Sequence, residues 1–237
     1  MPEFQELYLE LMVRDSDIYS IQSKDHEIGY AIRSKEGVLI EFYLNNQSVE
    51  RSRELFRAVI SELSITDIYC KSFDSQLFNI CQDLSFPNAV IGVLYRDHSE
   101  EFISRDHEIE FVQADVSHEE MLLSQDESIQ ELFETSEELK EFTENELVYS
   151  VYKYDELIGC GMIIRTHQDF PYCDLGVWTK AAHRGQGYGA QIIMRLREFA
   201  VIEKMIPSCG CSIDNIASQR TIEKSGYKSK HSMLHFK

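Results

Sequence analysis

The chain has 237 residues, 43% of them apolar and 11% aromatic, enough for one large domain or two small ones with separate cores. Its formal charge of −18 sets most of the surface against a phosphate backbone, so nucleic acid is excluded as the expected partner. No stretch approaches the roughly 18 consecutive apolar residues of a membrane span, and Met1 to Glu6 lacks the basic and apolar regions of a signal peptide, so a cytoplasmic protein without a membrane partner is expected.

In chain order, the first informative segment is "SIQSKDHEIGYA", Ser20 to Ala31, which aligns without gaps with "SVYKYDELIGCG", Ser150 to Gly161, at an offset of 130. Each reads as strand, tight turn and strand, so one structural unit is used twice. "VLIEFYL" (38–44) follows as a strand rich in aromatic and β-branched residues. A helix pattern with Leu55, Ala58, Val59 and Leu63 on its apolar face comes next. The strand "ITDIYCKSF", the helix "SQLFNICQDL" and the strand "AVIGVLY" complete the first unit. Arg105 to Glu110 is polar and reads as a linker, which puts the first domain at 1–106 and the second at 107–237.

After the repeated hairpin, the second unit runs "CDLGVWT", a glycine-rich loop, a helix with Ile192, Leu196, Phe199 and Ala200 on one face, "IPSCGCSI", the helix "ASQRTIEKSG" and the closing strand "SMLHF". Both halves therefore share a β-β-β-α-β-α-β order. Asp25 to Asp74 spans 49 positions and the corresponding Asp155 to Asp214 spans 59. Part of that excess is the loop. The first unit passes from strand to helix through "NNQSVERSR", with no glycine, and reads as a scaffold or interface domain.

The loop is "AAHRGQGYGAQ", Ala181 to Gln191, with Gly185, Gly187 and Gly189 at alternate positions. Glycine costs backbone entropy where it is fixed, so three together imply a close approach to the main chain. Unpaired N–H groups and the macrodipole make a helix N-terminus an anion site. Gly185, Gly187 and Ala190 satisfy a dinucleotide GxGxx(G/A) spacing. In that fold, however, the glycines follow the first strand directly, and too little chain remains here for a second mononucleotide half. A P-loop is excluded because no Gly-Lys-Ser/Thr follows.

Arg184 to Gly189 has the form (Q/R)xxGx(G/A) and resembles the pyrophosphate-binding motif of the GNAT superfamily of acyl-CoA-dependent N-acyltransferases. "DNIASQRTIEKSGY", Asp214 to Tyr227, is similar to that family's closing motif and lies at the expected distance. The resemblance covers about Leu147 to Tyr227 and is topological in the first unit. It implies an α/β (α+β) fold of two GNAT-like units, each a mixed, mostly antiparallel twisted sheet flanked by helices, with only the second retaining a cofactor loop. It further implies an acetyl-CoA-dependent N-acetyltransferase, acting on a small-molecule amine or a protein amine, in which acetyl-CoA enters between the fourth and fifth strands of the unit. Val177, Trp178 and Thr179 would present main-chain groups to pantetheine and polarise the thioester carbonyl. Arg184, Gly185, Gln186, Gly187, Tyr188, Gly189 and Ala190 would cradle the pyrophosphate, and Asn215 and Ser218 would line the pantetheine side.

The positions of the family's frequent glutamate base and tyrosine acid are Gly210 and Ile222, and neither moves a proton. An amine must lose a proton before it attacks, which leaves Asp174, His167 or a water chain, with Asp174 the first choice. An inactive CoA-binding regulatory or interaction protein is the alternative function. The six cysteines have no metal-ligand or disulfide spacing and read as reduced core thiols, with no metal. Between Glu119 and Glu146 eleven carboxylates face one base, Lys140. Two readings of this stretch stay open, a pair of solvated helix faces or a cover over a small cationic amine acceptor. A homodimer is compatible with the sequence.

Overall fold

The computed structural model describes residues 7–24, 26–99, 108–124, 127–133 and 135–237. The chain forms two compact units, one comprising Met1–Leu94 with Cys211–Asp214 and His231–Lys237, the other Tyr95–Gly210 with Asn215–Lys230. The expected boundary between 106 and 107 falls outside the described residues.

The first unit contains α1 (Leu7–Arg14), β1 (Asp17–Ser23), β2 (His26–Arg33), β3 (Val38–Leu44), α2 (Ser52–Glu62), β4 (Asp67–Lys71), α3 (Ser75–Asp83) and the start of β5 (Asn88–His98). β1, β2 and β3 are antiparallel, and β3 pairs parallel with β4 only at Val38↔Asp67 and Leu39↔Ile68. Ile40 is an extra residue in β3, because Arg33 pairs with Leu39 and Ile32 with Glu41. This bulge turns Ile40 into the cluster with Leu9 of α1, while Leu39 and Phe42 join the main core under α2 and α3. On α2 the core-facing residues are Phe56 and Val59, flanked by partly buried Leu55 and Leu63. Ala58, expected on that face, is exposed, because the face is centred on Phe56.

The repeated hairpins correspond to their turns and their irregularities. Lys24 and Tyr154, 130 positions apart, both have φ of 49°, and Asp155 has φ of 63°; Asp25 lies outside the described residues. The register of β1 shifts between Ile21 and Gln22, and that of β7 (Val148–Lys153) shifts between Val151 and Tyr152, again 130 positions on. Gly29 and Gly159 are also equivalent. A Cβ on Gly29 would fall 2.0 Å from Tyr43 O, and one on Gly159 would fall 2.4 Å from Trp178 O.

In the second unit, β6 (Ile109–Gln113), α4 (Val116–Leu123) and α5 (Ser136–Glu144) precede β7, β8 (Glu156–Arg165), β9 (Tyr172–Thr179), α6 (Tyr188–Ile202), the greater part of β10 (Ile206–Ser212), α7 (Ile216–Lys224) and the start of β11 (Tyr227–Phe236). From β7 onward this is the expected element order. Ile109 and Glu110, read as linker, belong to β6 and pair with Lys153 and Tyr152; the five residues of that strand, Ile-Glu-Phe-Val-Gln, alternate too briefly to mark it in the sequence. α6 buries Ile192, Leu196 and Ala200 against the sheet, with Phe199 against Phe111 and Tyr149.

The closing strand departs from expectation. His231–Lys237 belongs to the first unit, where Met233, Leu234, His235 and Phe236 of β11 pair antiparallel with Lys71, Cys70, Tyr69 and Ile68 of β4. Leu234 and Phe236 enter the first unit's main core.

Candidate active site

The site is built on β9. Lys180 N–H donates to Ile158 O at 3.0 Å and Thr166 N–H to Tyr172 O at 3.0 Å, which puts the even-numbered residues of β9 in hydrogen-bonded pairs with β8. Val177 and Thr179 therefore turn their main-chain groups toward β10. That strand pairs with β9 in parallel only through Ile206↔Tyr172, Pro207↔Cys173 and Ser208↔Asp174. Beyond Asp174 the pairing ends, although β9 continues to Thr179 and β10 to Ser212.

A cleft of about 210 Å³ is lined by Val177, Trp178 and Thr179 from β9, Arg184, Gly185, Gly187, Tyr188, Gly189 and Ala190 from the loop and α6, and Asn215 and Ser218 from α7. Eleven residues expected to touch the cofactor are thus brought together. Gln186 is not among them; it is exposed and its Nε2 folds back to Ala182 O at 3.2 Å. Leu132, His183, Ala217, Arg220, Thr221 and Lys224 also line the cleft and were not singled out in the sequence. Among the described residues the lining carries three firm cations, Arg184, Arg220 and Lys224, and no carboxylate, although the chain as a whole is strongly acidic.

The glycines differ in what they do. Gly185 and Gly187 have φ of +77° and +88°, and a Cβ on either would meet nothing within 4 Å. Backbone conformation requires glycine at both positions, and the space in front of the main chain stays open. A Cβ on Gly189 would instead lie 2.9 Å from Thr221 Cγ2 and 3.2 Å from Thr179 Oγ1, so that glycine lets α6 pack closely. The left-handed Gly187 is the N-cap of the 15-residue α6 and offers no side-chain cap bond. The first-turn N–H groups of Tyr188, Gly189 and Ala190 lack intrahelical acceptors. With the open approach and the cationic lining, they fit a pyrophosphate.

Several side chains hold this frame. Arg184 Nε donates to Thr179 O at 3.0 Å. His183 Nε2 lies 3.0 Å from Glu156 Oε1, and Lys153 Nζ lies 3.3 Å from Tyr188 Oη. Asn215 Oδ1 accepts Ser218 N–H at 3.0 Å as the N-cap of α7, the counterpart of Asp74 Oδ1 accepting Leu77 N–H at 3.1 Å for α3. Asp74 therefore corresponds to Asn215 and not to Asp214. Trp178 is 3% exposed.

Asp174 lies outside the cleft lining. It is half-buried at the last position where β9 and β10 pair, on the strand face it shares with Gly176 and Trp178. That face is covered at Gly176, where a Cβ would fall 2.4 Å from Met162 Cε and 2.7 Å from Leu132 Cδ1. Gly210 offers no side chain and Ile222 is 4% exposed. Tyr227 Oη donates to Pro207 O at 3.3 Å, and burial raises its pKa far above the ordinary phenol value. His167 is exposed at the sheet margin, its Nδ1 accepting Asp169 N–H at 3.1 Å. Among the described residues no group of His, Cys, Asp and Glu has the arrangement of a metal site, and no helix is long and apolar enough to cross a membrane.

The profile of the acetyltransferase (GNAT) domain matches residues 1–98, and that of the acetyltransferase (GNAT) family matches residues 103–227. No curated protein matches the chain. Among solved structures, a GNAT-family acetyltransferase from Colwellia psychrerythraea is similar at 17% identity and a TM-score of 0.81, over 94% of this chain and 86% of its own. A GCN5-related N-acetyltransferase from Sphaerobacter thermophilus is 12% identical with a TM-score of 0.64, over 93% and 80%. A tandem GNAT protein from the clavulanic acid biosynthesis pathway is 10% identical with a TM-score of 0.63, over 93% and 82%. With a family match on each half and a glycine loop opening into a cleft beside two parting strands, the chain belongs to the GNAT acetyltransferase family, as a tandem acyltransferase.

Proposed function

We propose that the second unit transfers the acetyl group of acetyl-CoA to a primary amine by direct attack, and that the acceptor is a small cationic molecule. The observation that carries this reading is the joining, in one cleft, of the Gly185–Gly187 loop with the stretch of β9 beyond its pairing with β10. The loop would take the pyrophosphate, and Val177 and Thr179 would take the pantetheine arm and the thioester carbonyl. Leu132 and Met162, crowded over Gly176, favour a short acyl group. Direct attack is favoured over an acyl-cysteine at Cys209, which is 2% exposed, because a buried thiol is a poor nucleophile.

Asp174 is the proposed base, at the point where the strands part. Asp174→Asn should lower kcat by roughly 10²-fold or more and remove the acid limb of the pH–rate profile, with the CoA affinity unchanged. The acceptor charge is inferred from α5, where Glu137 and Glu141 are exposed and Glu138 is half-buried; Glu134 lies outside the described residues. Reversing the charge of these glutamates should raise KM for a cationic amine, and unchanged kinetics would refute that part. A screen of amines with acetyl-CoA, read by thiol release, tests the whole reading.

The second reading, CoA binding without transfer, is favoured by Gly210 and by the buried Ile222. The same screen separates the two, since that reading requires binding with no turnover on any amine.

A further inference from the structure

Ser128 stands in the short 3-10 turn Glu127–Glu131 between α4 and α5. Its Oγ accepts two hydrogen bonds, from Trp178 Nε1–H at 2.9 Å and from an Nη2–H of Arg184. The same guanidinium is held by Thr179 O. A guanidinium carries five N–H donors in a rigid fork, so it can keep both bonds and still donate to an anion in the cleft it lines. Leu132, four residues beyond Ser128, lines that cleft too. Its N–H donates to Ile129 O at 2.9 Å, and the Phe133 N–H donates to the same oxygen at 3.1 Å. One hydroxyl therefore ties the glycine loop, the strand beside the cleft and the cleft's Leu132 wall together.

We propose that Ser128 is a positioning residue that couples cofactor binding to the placement of the 127–133 turn. An anion held at the glycine loop fixes the Arg184 guanidinium, the guanidinium fixes Ser128, and Ser128 sets Leu132 against the cleft and over Gly176. The inference rests on the reading that the loop takes the pyrophosphate of CoA. Linkage makes the effect reciprocal, so a turn already in place strengthens cofactor binding by the factor with which the cofactor orders the turn.

The test titrates coenzyme A into the full-length wild type, Ser128→Ala and Ser128→Thr. It reads the emission of Trp178, the only tryptophan, and hydrogen exchange at the Leu132 and Phe133 amides. In the wild type, coenzyme A should shift the emission and slow exchange at both amides by about fivefold or more, the lower end of measured couplings. Ser128→Ala should bind coenzyme A more weakly by a similar factor and show no ligand-dependent slowing, and Ser128→Thr, which keeps the hydroxyl, should restore both. Wild-type affinity together with wild-type slowing in Ser128→Ala would overturn the proposal. Should that variant not fold, Arg184→Lys decides. A single ammonium cannot hold Thr179 O, Ser128 Oγ and a phosphate in the same fork geometry, so weaker binding without slowing is expected, and full slowing would overturn the coupling. Absence of coenzyme A binding by the wild type would refute the pyrophosphate reading and the coupling with it, a result distinct from binding without coupling.

Discussion

Gln76 and Leu44 are joined by two hydrogen bonds: Leu44 N–H donates to Gln76 Oε1 at 2.7 Å, and Gln76 Nε2 donates to Leu44 O at 3.0 Å. Leu44 pairs with Gly29, as Thr179 pairs with Gly159 in the second unit. Gln76 is two residues past its helix cap Asp74, as Ala217 is two past Asn215. In the first unit, then, one side chain takes both the N–H and the carbonyl of Leu44, whereas in the second unit Arg184 takes the carbonyl of Thr179. Nearby, the Lys71 ammonium, 3% exposed, lies 3.7 Å from Glu41 Oε1, and Tyr30 Oη donates to the same carboxylate at 3.1 Å. The chain should bind one coenzyme A, and calorimetry giving two per chain would contradict this. Gln76→Ala should cost about 1–2 kcal/mol, as two part-buried hydrogen bonds do, measured by urea unfolding, with the coenzyme A affinity unchanged.

Phe236, one residue from the C-terminus, is fully buried in the first unit's core together with Leu234. Phe236→Ala should destabilise that core by about 3–5 kcal/mol, and removal of His231–Lys237 should unfold it. Urea denaturation followed by far-UV circular dichroism measures both. A truncated chain with an unchanged midpoint would mean that the β4–β11 pairing contributes little.

Burial pushes the thiols of Cys81, Cys160 and Cys173 up to about 12, against roughly 8.5 in an unfolded chain. The folded protein therefore holds protons that the unfolded chain loses above roughly pH 8.5. The contribution to stability is complete below that pH and declines as pH rises toward 12. The urea midpoint should fall between pH 7.5 and pH 10. Cys211 is half-buried and the other five cysteines are buried, so a thiol reagent at pH 8 should modify one cysteine rapidly in the native protein and all six in denaturant.

Leu132 and Met162 meet over Gly176. If they limit the acyl group, Leu132→Ala should raise the ratio of kcat/KM for butyryl-CoA over acetyl-CoA by about 10-fold or more, the range expected when a pocket gains room for a methylene. An unchanged ratio would move the acyl pocket elsewhere.

Much of this architecture is written locally in the chain. The Ser20–Ala31 and Ser150–Gly161 repeat located both hairpins, and the structure adds that even their register shifts coincide. The glycine loop was readable because left-handed φ and an open approach both demand glycine, while the strand "CDLGVWT" carried its own β-propensity. Other features had no local signal. "SMLHF" is an acceptable strand for either sheet, and only tertiary pairing assigns it to β4. Ser128 is one serine in an acidic stretch, and its importance depends on a tryptophan and an arginine some fifty positions away. Gln76 likewise acts across 32 positions. Asp74 was aligned with Asp214 by residue type, whereas helix capping aligns it with Asn215.

The central claim is that the Gly185–Ala190 loop is the chain's cofactor site, and calorimetric titration of acetyl-CoA into the wild type and Gly187→Trp tests it most directly. The open space before Gly187 would be filled by the indole, and thermal unfolding with far-UV circular dichroism verifies that the variant is folded. The account predicts saturable binding with one site in the wild type and none in the folded variant. Equal binding by both proteins, or none by the wild type at millimolar acetyl-CoA, would contradict it.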